Sequence, residues 1–460
     1  MDKENRRSYS KQIYRQLRSR ILNGELQTGD PLPSTRELSM ELHVARNTVL
    51  TAYDLLVSEG FAKSIPGSGF YVRQGTVLEP ERVSNHRVAT LSEKTLPENC
   101  INFDSGLPAL DLFPRMKWNR IHTQALYEAP ISALGYNAPE GRPEFRRVLS
   151  SYLWKTRGID CHPDQILITT GTKQGLTLVA KCLLDSNSEV WLEDPSNANV
   201  KQIFSYHTDH ITPIPVDEKG IRPDRLPRAG KPSLLFVTPS HQFPMGGILP
   251  IQRRLDLISF ARGSGCYLIE DDYDSEFGYD GIPTNSLQEL DNSHVIYVGT
   301  FSKVMFPSLR VGYLVLPPEL IGPCRKWKHL ADHHTNSIYQ LALMRFIEKG
   351  ILGRHISKMK KIYRNRRDCL IGLIGQYFHD QVKVYGTAAG MHMVAEFDGV
   401  RFSDNLVGRI RQNGVYIVPV EHHSIVKGKH TNQVILGYAS LSPDEMEQGI
   451  WKLKDVIRSG

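Results

Sequence analysis

The sequence predicts an α/β protein with a largely parallel sheet, preceded by a small helical domain. From about Ile101 onward, short β-rich runs alternate with helix-like runs, which is the pattern of parallel strands joined by crossover helices. The first seventy-odd residues instead contain three helix-like segments followed by two short strand-like runs. Residues 74–100 between them are polar and lack sustained periodicity, which is typical of a linker. The expected domains are therefore 1–73 and 101–460, joined by 74–100.

Length and composition limit the class of protein. With 460 residues, of which 40% are hydrophobic, the chain can form two or three domains with sizeable cores. The net charge of +7 is mildly basic, which permits nucleic-acid binding without showing it. The six cysteines form no CxxC pair, so we expect no disulfide framework and no structural metal site. No apolar run approaches the roughly 18 residues of a membrane span, and MDKENRRSYSKQ lacks the apolar core of a signal peptide, so a soluble cytoplasmic protein without a membrane partner is expected.

The N-terminal region begins with two predicted helices. Ile13, Leu17 and Ile21 recur at helical spacing, and the following Asn-Gly pair ends that helix. Ser34 and Glu37 then form a capping box, which fixes the start of the second helix.

A third helix and a hairpin complete this region. The run ARNTVLTAYDLLVSEG predicts a helix that ends at Gly60. Phe61–Ile65 and Phe70–Val72 predict two strands joined by PGSG. This order of elements is that of a winged helix-turn-helix, in which one helix enters the major groove with its N-terminal side chains on base edges.

Four side chains are candidates for DNA contacts. Arg46, Asn47 and Thr48 stand at the N-terminus of the third helix, and Arg36 lies near the start of the second. Arginine binds guanine bidentately, and asparagine binds adenine in the same way. The alternative is a three-helix interaction module with solvent-exposed arginines.

The motifs LPSTREL and ARNTV and the G-S-G of the hairpin closely resemble those of the GntR family of bacterial regulators over residues 8–73. The resemblance implies that operator DNA is the partner of this domain. It also implies that Gly67 and Gly69 shape a wing at the DNA backbone, and that the DNA contacts come from Arg36, Arg46, Asn47 and Thr48.

In the large domain, polar side chains follow two predicted buried strands. Asp271 and Tyr273 come after the apolar run Cys266–Ile269. Thr300, Ser302 and Lys303 come after Val295–Val298, with Arg310 seven residues further on. Ligands of parallel α/β sheets bind outside the carboxyl ends of the strands. We therefore expect one crevice to contain the acid, the phenol and the residues Thr300, Ser302, Lys303 and Arg310.

This set suits pyridoxal 5′-phosphate. The cofactor needs an amine for a Schiff base, a carboxylate for its pyridinium nitrogen and donors for its phosphate. Lys303 can supply the amine and Asp271 the carboxylate, while Tyr273 can hold the phenolic oxygen. Thr300, Ser302 and Arg310 are the phosphate candidates. The alternative, a solvated loop lysine and a surface acid, does not explain the ordered set. The segment resembles the cofactor core of fold-type I aminotransferases.

Residues 101–460 resemble a class I/II aminotransferase throughout. ILITTGTKQGLTLVAKCLL predicts a strand, a turn and a helix whose free amides suit a phosphate. In this resemblance Gly171, Thr172 and Lys173 match the phosphate-binding turn. Tyr136 matches a tyrosine that reaches the cofactor phosphate of the partner subunit, although a core aromatic is the alternative.

One loop departs from the aminotransferase pattern. TPSHQFPMGGILP matches the position of an Asn-Pro-Thr-Gly loop, with Phe243 where most enzymes carry the asparagine that donates to the cofactor's phenolic oxygen. His241 or Gln242 is the candidate to replace that donor, with a structural loop role as the alternative for each.

A GntR head joined to an aminotransferase-like body resembles the MocR subfamily of bacterial transcriptional regulators. The resemblance implies a head-to-tail homodimer with cofactor sites at the interface and no metal.

Two departures bear on the ligand. Asn197 aligns with the aromatic residue that stacks on the pyridine, and Asn199 with an arginine of γ-aminobutyrate-responsive members. No arginine occurs between Arg411 and Arg458, where the family carries an arginine for the substrate carboxylate. Arginine is the usual bidentate partner of a carboxylate. Lys427 or Lys429 is a substitute, although each is more typical of a solvated loop.

Three hypotheses remain. The first is a regulator that senses pyridoxal phosphate itself and controls vitamin B6 genes, resembling the pyridoxine-synthesis branch of the subfamily. The second is a regulator that senses an amino compound through an external aldimine. The third is an aminotransferase with a dispensable head. The complete winged motif argues against the third, and the missing arginine favours the first, in which turnover is absent or slight.

Overall fold

The computed structural model describes residues 9–75, 99–279 and 285–459. The chain divides into two compact units, residues 1–95 and 96–460. Most of the segment 74–100, which the sequence predicts to be a linker, lies outside the described residues. None of the described helices is long and apolar enough to cross a membrane.

The first unit has the predicted order of elements. It consists of α1 (Tyr9–Leu22), α2 (Thr35–Glu41), α3 (Arg46–Ser58), β1 (Ala62–Ile65) and β2 (Gly69–Val72). The predicted capping box is present: the Ser34 side chain accepts from the Glu37 amide, and the Glu37 side chain accepts from the Ser34 amide. Strands β1 and β2 pair antiparallel with Ile65 opposite Gly69, which forms the wing.

One apolar core holds these elements together. Ile13 and Leu17 from α1 pack with Val49, Tyr53 and Leu56 from α3, and all five are buried. The Tyr53 hydroxyl donates to the Pro33 carbonyl at 2.7 Å and so joins α3 to the approach of α2. The structure thus confirms the winged helix-turn-helix.

The second unit alternates strands and helices as predicted. Its helices are α4 (Arg115–Tyr127), α5 (Pro143–Arg157), α6 (Thr172–Leu183), α7 (Ala198–Ser205), α8 (Ile251–Ser264), α9 (Leu287–Leu290), α10 (Pro318–Asp332), α11 (Ser337–Glu348), α12 (Ile351–Phe378), α13 (Asp404–Gln412) and α14 (Pro443–Arg458). Its strands are β3 (Ile101–Asn102), β4 (Ile166–Thr169), β5 (Val190–Asp194), β6 (Ile211–Asp217), β7 (Gly220–Ile221), β8 (Leu234–Val237), β9 (Tyr267–Asp272), β10 (Val295–Thr300), β11 (Gly312–Val315), β12 (Val382–Tyr385), β13 (His392–Phe397), β14 (Val415–Tyr416), β15 (Val418–Pro419) and β16 (Gln433–Gly437).

A mixed eight-stranded sheet forms the centre of this unit. Its order is β4-β11-β10-β9-β8-β5-β6-β7, with β11 antiparallel to both of its neighbours. The pairs β10–β9, β9–β8, β8–β5 and β5–β6 are all parallel. Strands such as ILIT and LLFV are buried along their whole length because helices cover both faces. A second sheet, in the order β12-β13-β16-β15, is antiparallel.

Two strands extend further than the apolar runs predict. The sequence predicts ends at Ile269 and Val298, whereas β9 continues to Asp272 and β10 to Thr300. Parallel pairing of Asp271 with Val298 keeps the polar ends in the ladder, because backbone hydrogen bonding does not depend on side-chain polarity. The candidate side chains therefore lie on the last residues of the strands as well as just beyond them.

Candidate functional site

A cavity of about 540 Å³ lies at the carboxyl ends of β9 and β10. It is the place where parallel sheets bind ligands. Of the predicted cofactor residues, the following line it: Thr172, Lys173, Asp271, Tyr273, Thr300, Ser302, Lys303 and Arg310.

Asp271 is a buried carboxyl group on β9. Burial and then the charge of Asp272 raise its pKa to about 7. Its Oδ1 atom has no hydrogen-bond partner among the described residues. Asp272, by contrast, is paired with the Arg157 guanidinium at 2.6 Å. A carboxyl group that lines a cavity and has an unpartnered oxygen suits a cationic ring nitrogen, which would stabilise its ionised form.

Lys303 lies in the turn after β10. Its Nζ atom donates to the Gly106 carbonyl at 2.7 Å. Burial lowers the pKa of Lys303, against the opposing charges of Asp274, Asp104 and Asp271. A lower pKa increases the fraction of neutral amine, which is the form that attacks a carbonyl carbon.

Tyr273 faces the cavity with His241 behind it. The tyrosine hydroxyl donates to the His241 carbonyl at 2.9 Å and lies 3.1 Å from His241 Nδ1. The same Nδ1 atom lies 3.1 Å from the Asp274 carboxylate. The His241 ring is fully buried and does not line the cavity, because its contact with Asp274 holds it on the far side of Tyr273. The sequence predicts a direct role for His241 at the cofactor, whereas the structure places it as a support for Tyr273.

Gln242, the other candidate to replace the family asparagine, does not line the cavity either. Gln242 Nε2 donates to the Pro195 carbonyl at 2.9 Å and to the Glu193 carboxylate at 3.2 Å. Phe243 does line the cavity, as its alignment with the family asparagine predicts. Tyr273 is therefore the candidate donor on this wall for a phenolic oxygen, provided that its hydroxyl hydrogen turns from the His241 carbonyl toward the ligand.

His392 on β13 extends the support behind Tyr273. Its ring centroid lies 4.8 Å from that of His241, and its Nε2 atom lies 3.0 Å from the Pro244 carbonyl. Burial and His241 lower the pKa of His392 well below its usual value. His241, Asp274 and His392 are residue types that bind metal ions, and their ligand atoms lie within 4.8 Å of one another. Here His241 Nδ1 contacts the Asp274 carboxylate directly. Sequence reasoning missed Asp274 and His392, since nothing in their spacing links them to His241.

A group of hydroxyl and guanidinium donors gathers where the cavity meets the start of α6. Thr300 Oγ1 lies 3.1 Å from Ser302 Oγ and accepts from the Ser302 amide. The Arg310 guanidinium donates to the Thr170 carbonyl at 2.6 Å. Gly171 has φ +103°, and a Cβ atom there would lie 2.7 Å from that guanidinium. The turn before α6 thus needs glycine both for its backbone conformation and for space.

The start of α6 contributes the neighbouring contacts. Thr172 is its first residue, and Lys173 Nζ donates to Asn199 Oδ1 at 3.1 Å. Asn197 caps α7, and its side chain accepts from the Asn199 amide. Both asparagines line the cavity. Asn197, which the sequence aligns with the stacking aromatic residue of the family, is thus a polar helix cap at the cavity wall.

Sequence reasoning also missed the outer walls. Asp104, Gly106, Tyr416 and His423 line the cavity from segments far apart in the chain. Burial and then His422 lower the pKa of His423 to about 4, so this imidazole is uncharged at neutral pH. Lys427, a predicted substitute for the family arginine, instead donates to the Glu421 carbonyl at 2.7 Å.

Tyr136 lies away from this cavity in its own chain. Its side chain is 88% exposed and lies near His333, with ring centroids 5.2 Å apart. It is therefore not a core aromatic residue.

The helix-turn-helix presents its candidates to solvent. Arg36, Arg46 and Asn47 are exposed, Thr48 is half-buried, and Arg46 Nε donates to Thr35 Oγ1 at 3.1 Å. That bond links α3 to the start of α2. In the wing, Gly67 and Gly69 are exposed and have φ of +75° and +117°.

The residues in the cavity fit pyridoxal phosphate. The unpartnered Asp271 oxygen, the half-buried Lys303 amine and the close approach of Gly171 to Arg310 match the cofactor's ring nitrogen, aldehyde and phosphate. Without a ligand, the desolvated acid and amine lower the stability of the folded protein, and the glycine requirement restricts the sequence.

Comparison with known families agrees with both units. Residues 9–72 match bacterial regulatory proteins of the gntR family, and residues 98–453 match aminotransferase class I and II. The molecule is thus a GntR-type DNA-binding regulator in class, with a fold-type I aminotransferase body. The chain is 31% identical to the probable rhizopine catabolism regulatory protein MocR of Rhizobium meliloti, over 97% of this chain and 93% of that protein. It belongs to the MocR subfamily of GntR-type transcriptional regulators.

Two further relatives are informative. The pyridoxine biosynthesis transcriptional regulator PdxR of Corynebacterium glutamicum is 29% identical, over 98% of this chain and 96% of that protein. The crystal structure of LysN, an α-aminoadipate aminotransferase of Thermus thermophilus, is 28% identical with a TM-score of 0.73. That match covers 79% of this chain and 93% of LysN, whose structure contains N-(5′-phosphopyridoxyl)-L-leucine.

Proposed function

We propose that this regulator binds pyridoxal phosphate in its aminotransferase-like body and uses occupancy of that site to control transcription. The observation that carries the proposal is the buried, unpartnered Oδ1 atom of Asp271 in the same cavity as the half-buried Lys303 amine. Both groups bear a desolvation penalty that this cofactor offsets with a ring nitrogen and an aldehyde.

Each part of the cofactor has a proposed partner. Pyridoxal phosphate, when bound, supplies an electrophilic aldehyde carbon and a ring that withdraws electrons. Lys303 supplies the neutral amine, Asp271 holds the proton on the ring nitrogen, and Tyr273 donates to the phenolic oxygen. The phosphate is bound by Thr300, Ser302, Arg310 and the amides at the start of α6, since an arginine and a helix N-terminus both favour an anion.

We further propose that pyridoxal phosphate is itself the signal and that the regulated genes serve vitamin B6 metabolism. The support is the composition of the cavity wall. Among the described lining residues Arg310 is the single arginine, and we assign it to the cofactor's phosphate. The wall away from the phosphate instead presents Asn197, Tyr416 and an uncharged His423. The resemblance to PdxR supports the same effector.

The amino-compound hypothesis remains as a second candidate. Lys173 is a cation at the cavity wall, held by Asn199, where it can meet an acidic group on an effector. An amino acid bound in this way would contact a lysine and not a bidentate arginine.

Titration of operator binding separates these candidates. The effector hypothesis predicts that pyridoxal phosphate alone shifts operator affinity and that added amino acids change nothing further. If operator affinity changed only when an amino compound was also present, the amino-compound hypothesis would replace the pyridoxal phosphate hypothesis. Keto-acid formation from amino donors over many turnovers would replace both by an aminotransferase.

We also propose a homodimer. Tyr136 is exposed, and Tyr127 and Ile131 nearby in the chain are 90% and 89% exposed. Exposed aromatic and aliphatic side chains of this size are typical of an interface. Paired heads also suit two operator half-sites. Light scattering at micromolar concentration should give twice the mass of the chain, and a purely monomeric protein would exclude the arrangement.

A further inference from the structure

Two cysteine thiols face each other between α6 and α10. Cys182 Sγ lies 3.3 Å from Cys324 Sγ. Cys182 stands in the last turn of α6 and is half-buried, whereas Cys324 is fully buried. The sulfurs would need to approach by only about 1.2 Å to reach the roughly 2.05 Å of a disulfide bond.

The two helices hold this pair in register. At the other end of α6, Gln174 Nε2 donates to Asp332 Oδ2 at 2.8 Å. Lys328, which is buried, donates to Gln174 Oε1 at 2.9 Å and to the same aspartate oxygen at 2.8 Å. Leu176 and Val179 of α6 belong to the same apolar cluster as Leu320 and Cys324 of α10. The thiol contact thus lies within a packed helix pair that is also joined by buried polar contacts.

The two thiols differ in accessibility, and their mutual hydrogen bond shifts their pKa values in opposite directions. The hydrogen bond with Cys324 lowers the pKa of the Cys182 thiol, against the effect of burial. The same hydrogen bond and burial raise the pKa of Cys324. The thiolate is the nucleophilic form of cysteine, so the more accessible sulfur is also the one that ionises more readily.

We propose that Cys182 and Cys324 form a thiol pair that a hydroperoxide oxidises to a disulfide between α6 and α10. The Cys182 thiolate attacks the peroxide, so that a sulfur–oxygen bond forms, the oxygen–oxygen bond breaks and hydroxide leaves. The Cys324 sulfur then attacks the sulfenic sulfur, the sulfur–sulfur bond forms, and the hydroxyl group leaves with the thiol proton as water. Two thiols thus lose two electrons and two protons, and one hydrogen peroxide becomes two water molecules.

The test uses the full-length, fully reduced protein. Brief treatment with hydrogen peroxide, then alkylation and non-reducing peptide mapping, should yield a linked peptide with Cys182 and Cys324. The intact mass should fall by two hydrogens, and a thiol reductant should restore it. Cys182→Ser and Cys324→Ser should each lose the link, and in Cys324→Ser a sulfenic-acid reagent should label Cys182. Cys369→Ser, which removes another half-buried cysteine, should keep the link.

The wild-type measurement is decisive even if a serine variant folds poorly. Peroxide that oxidises Cys100 or Cys369 while Cys182 and Cys324 stay open to alkylation would overturn the proposal. A link that forms only after unfolding in urea would do the same, since the native helices would then not bring the thiols together.

Discussion

At the residue scale, the cavity contains an acid and an amine whose pKa values burial moves in opposite directions. Burial raises the pKa of Asp271 and lowers that of Lys303, so both neutral forms are favoured. Such groups reduce the stability of a cofactor-free protein. Their retention in one cavity is therefore better explained by binding than by folding.

Replacing Asp271 by asparagine should stabilise the cofactor-free protein and weaken cofactor binding. A carboxyl with a folded pKa near 7 and an unfolded value near 3.8 loses folding stability as pH rises between these values. Each unit of difference corresponds to about 1.4 kcal/mol. The melting temperature of Asp271→Asn should therefore exceed that of the wild type most clearly above pH 7 and least near pH 4. The dissociation constant for pyridoxal phosphate should rise about tenfold or more, as loss of a charged partner predicts.

Asp398→Asn, a change of an exposed aspartate, is the matched control and should alter neither quantity. Equal melting curves and equal cofactor affinity for Asp271→Asn would contradict the assigned role.

Covalent attachment of the cofactor at Lys303 should depend on pH. The neutral amine attacks, so the rate should increase as pH rises through the pKa of Lys303, and burial should place the midpoint below the ordinary 10.5. Borohydride reduction followed by peptide mapping should find the pyridoxyl group on this lysine. Lys303→Ala should lose the attachment, whereas Lys201→Ala, at an exposed position, should keep it. Attachment at another lysine would move the site.

At the element scale, the turn from β4 into α6 is the proposed site of the cofactor's phosphate group. Gly171 has a left-handed backbone, and its missing side chain leaves space for Arg310. Thr172 and Lys173 of the first turn of α6 line the cavity, and an anion bound there would offset the unpaired state of the first helical amides.

Gly171→Ala should therefore weaken cofactor binding more than it weakens the fold. The new Cβ atom would lie 2.7 Å from the arginine and would need a backbone conformation that costs about 1–2 kcal/mol. We expect about a tenfold higher dissociation constant by fluorescence titration. Gly263→Ala in α8, where nothing lies within 4 Å of the new atom, should bind like the wild type. Equal affinities of the two variants would exclude the turn from the phosphate site.

The sequence predicts those features of the site that depend on local patterns, and it fails for those that depend on long-range packing. The strand, turn and helix around Gly171 and the polar residues after β10 are local patterns, so the sequence predicts them. The strand ends were predicted too early, because backbone pairing continues past the apolar residues at Asp271. The position of His241 behind Tyr273 depends on Asp274 and on His392 of β13, and such long-range packing has no local signature.

Replacing Arg46 tests whether α3 of the first unit contacts DNA bases. Arg46 stands at the start of α3 and is linked to α2 through Thr35. If it contacts a base, Arg46→Ala should weaken operator binding by about 1–3 kcal/mol and relax specificity at one position. Arg15→Ala, an exposed position in α1, is the control. Equal operator affinity of wild type and Arg46→Ala in a gel-shift titration would remove Arg46 from the interface, and a reduced salt dependence alone would indicate a phosphate contact.

At the scale of the whole molecule, a cofactor can regulate transcription only if it binds two states of the protein with different affinities. The coupling is reciprocal, so operator DNA must change cofactor affinity by the same factor that the cofactor changes operator affinity. Measuring both affinities in one buffer therefore tests the regulatory proposal without knowledge of the regulated genes.

Tyr136 tests whether each cofactor site needs two chains. If its hydroxyl reaches the phosphate in the partner subunit, Tyr136→Ala and Lys303→Ala homodimers should both bind cofactor poorly or without covalent attachment. A mixed dimer, purified with two different tags, should regain one complete site. The lysine of that site comes from the Tyr136→Ala chain, and its tyrosine comes from the Lys303→Ala chain. If Tyr136 served its own chain instead, neither site of the mixed dimer would be complete. Titration should thus give one high-affinity, reducible cofactor per mixed dimer, and none would show that Tyr136 does not act across the interface.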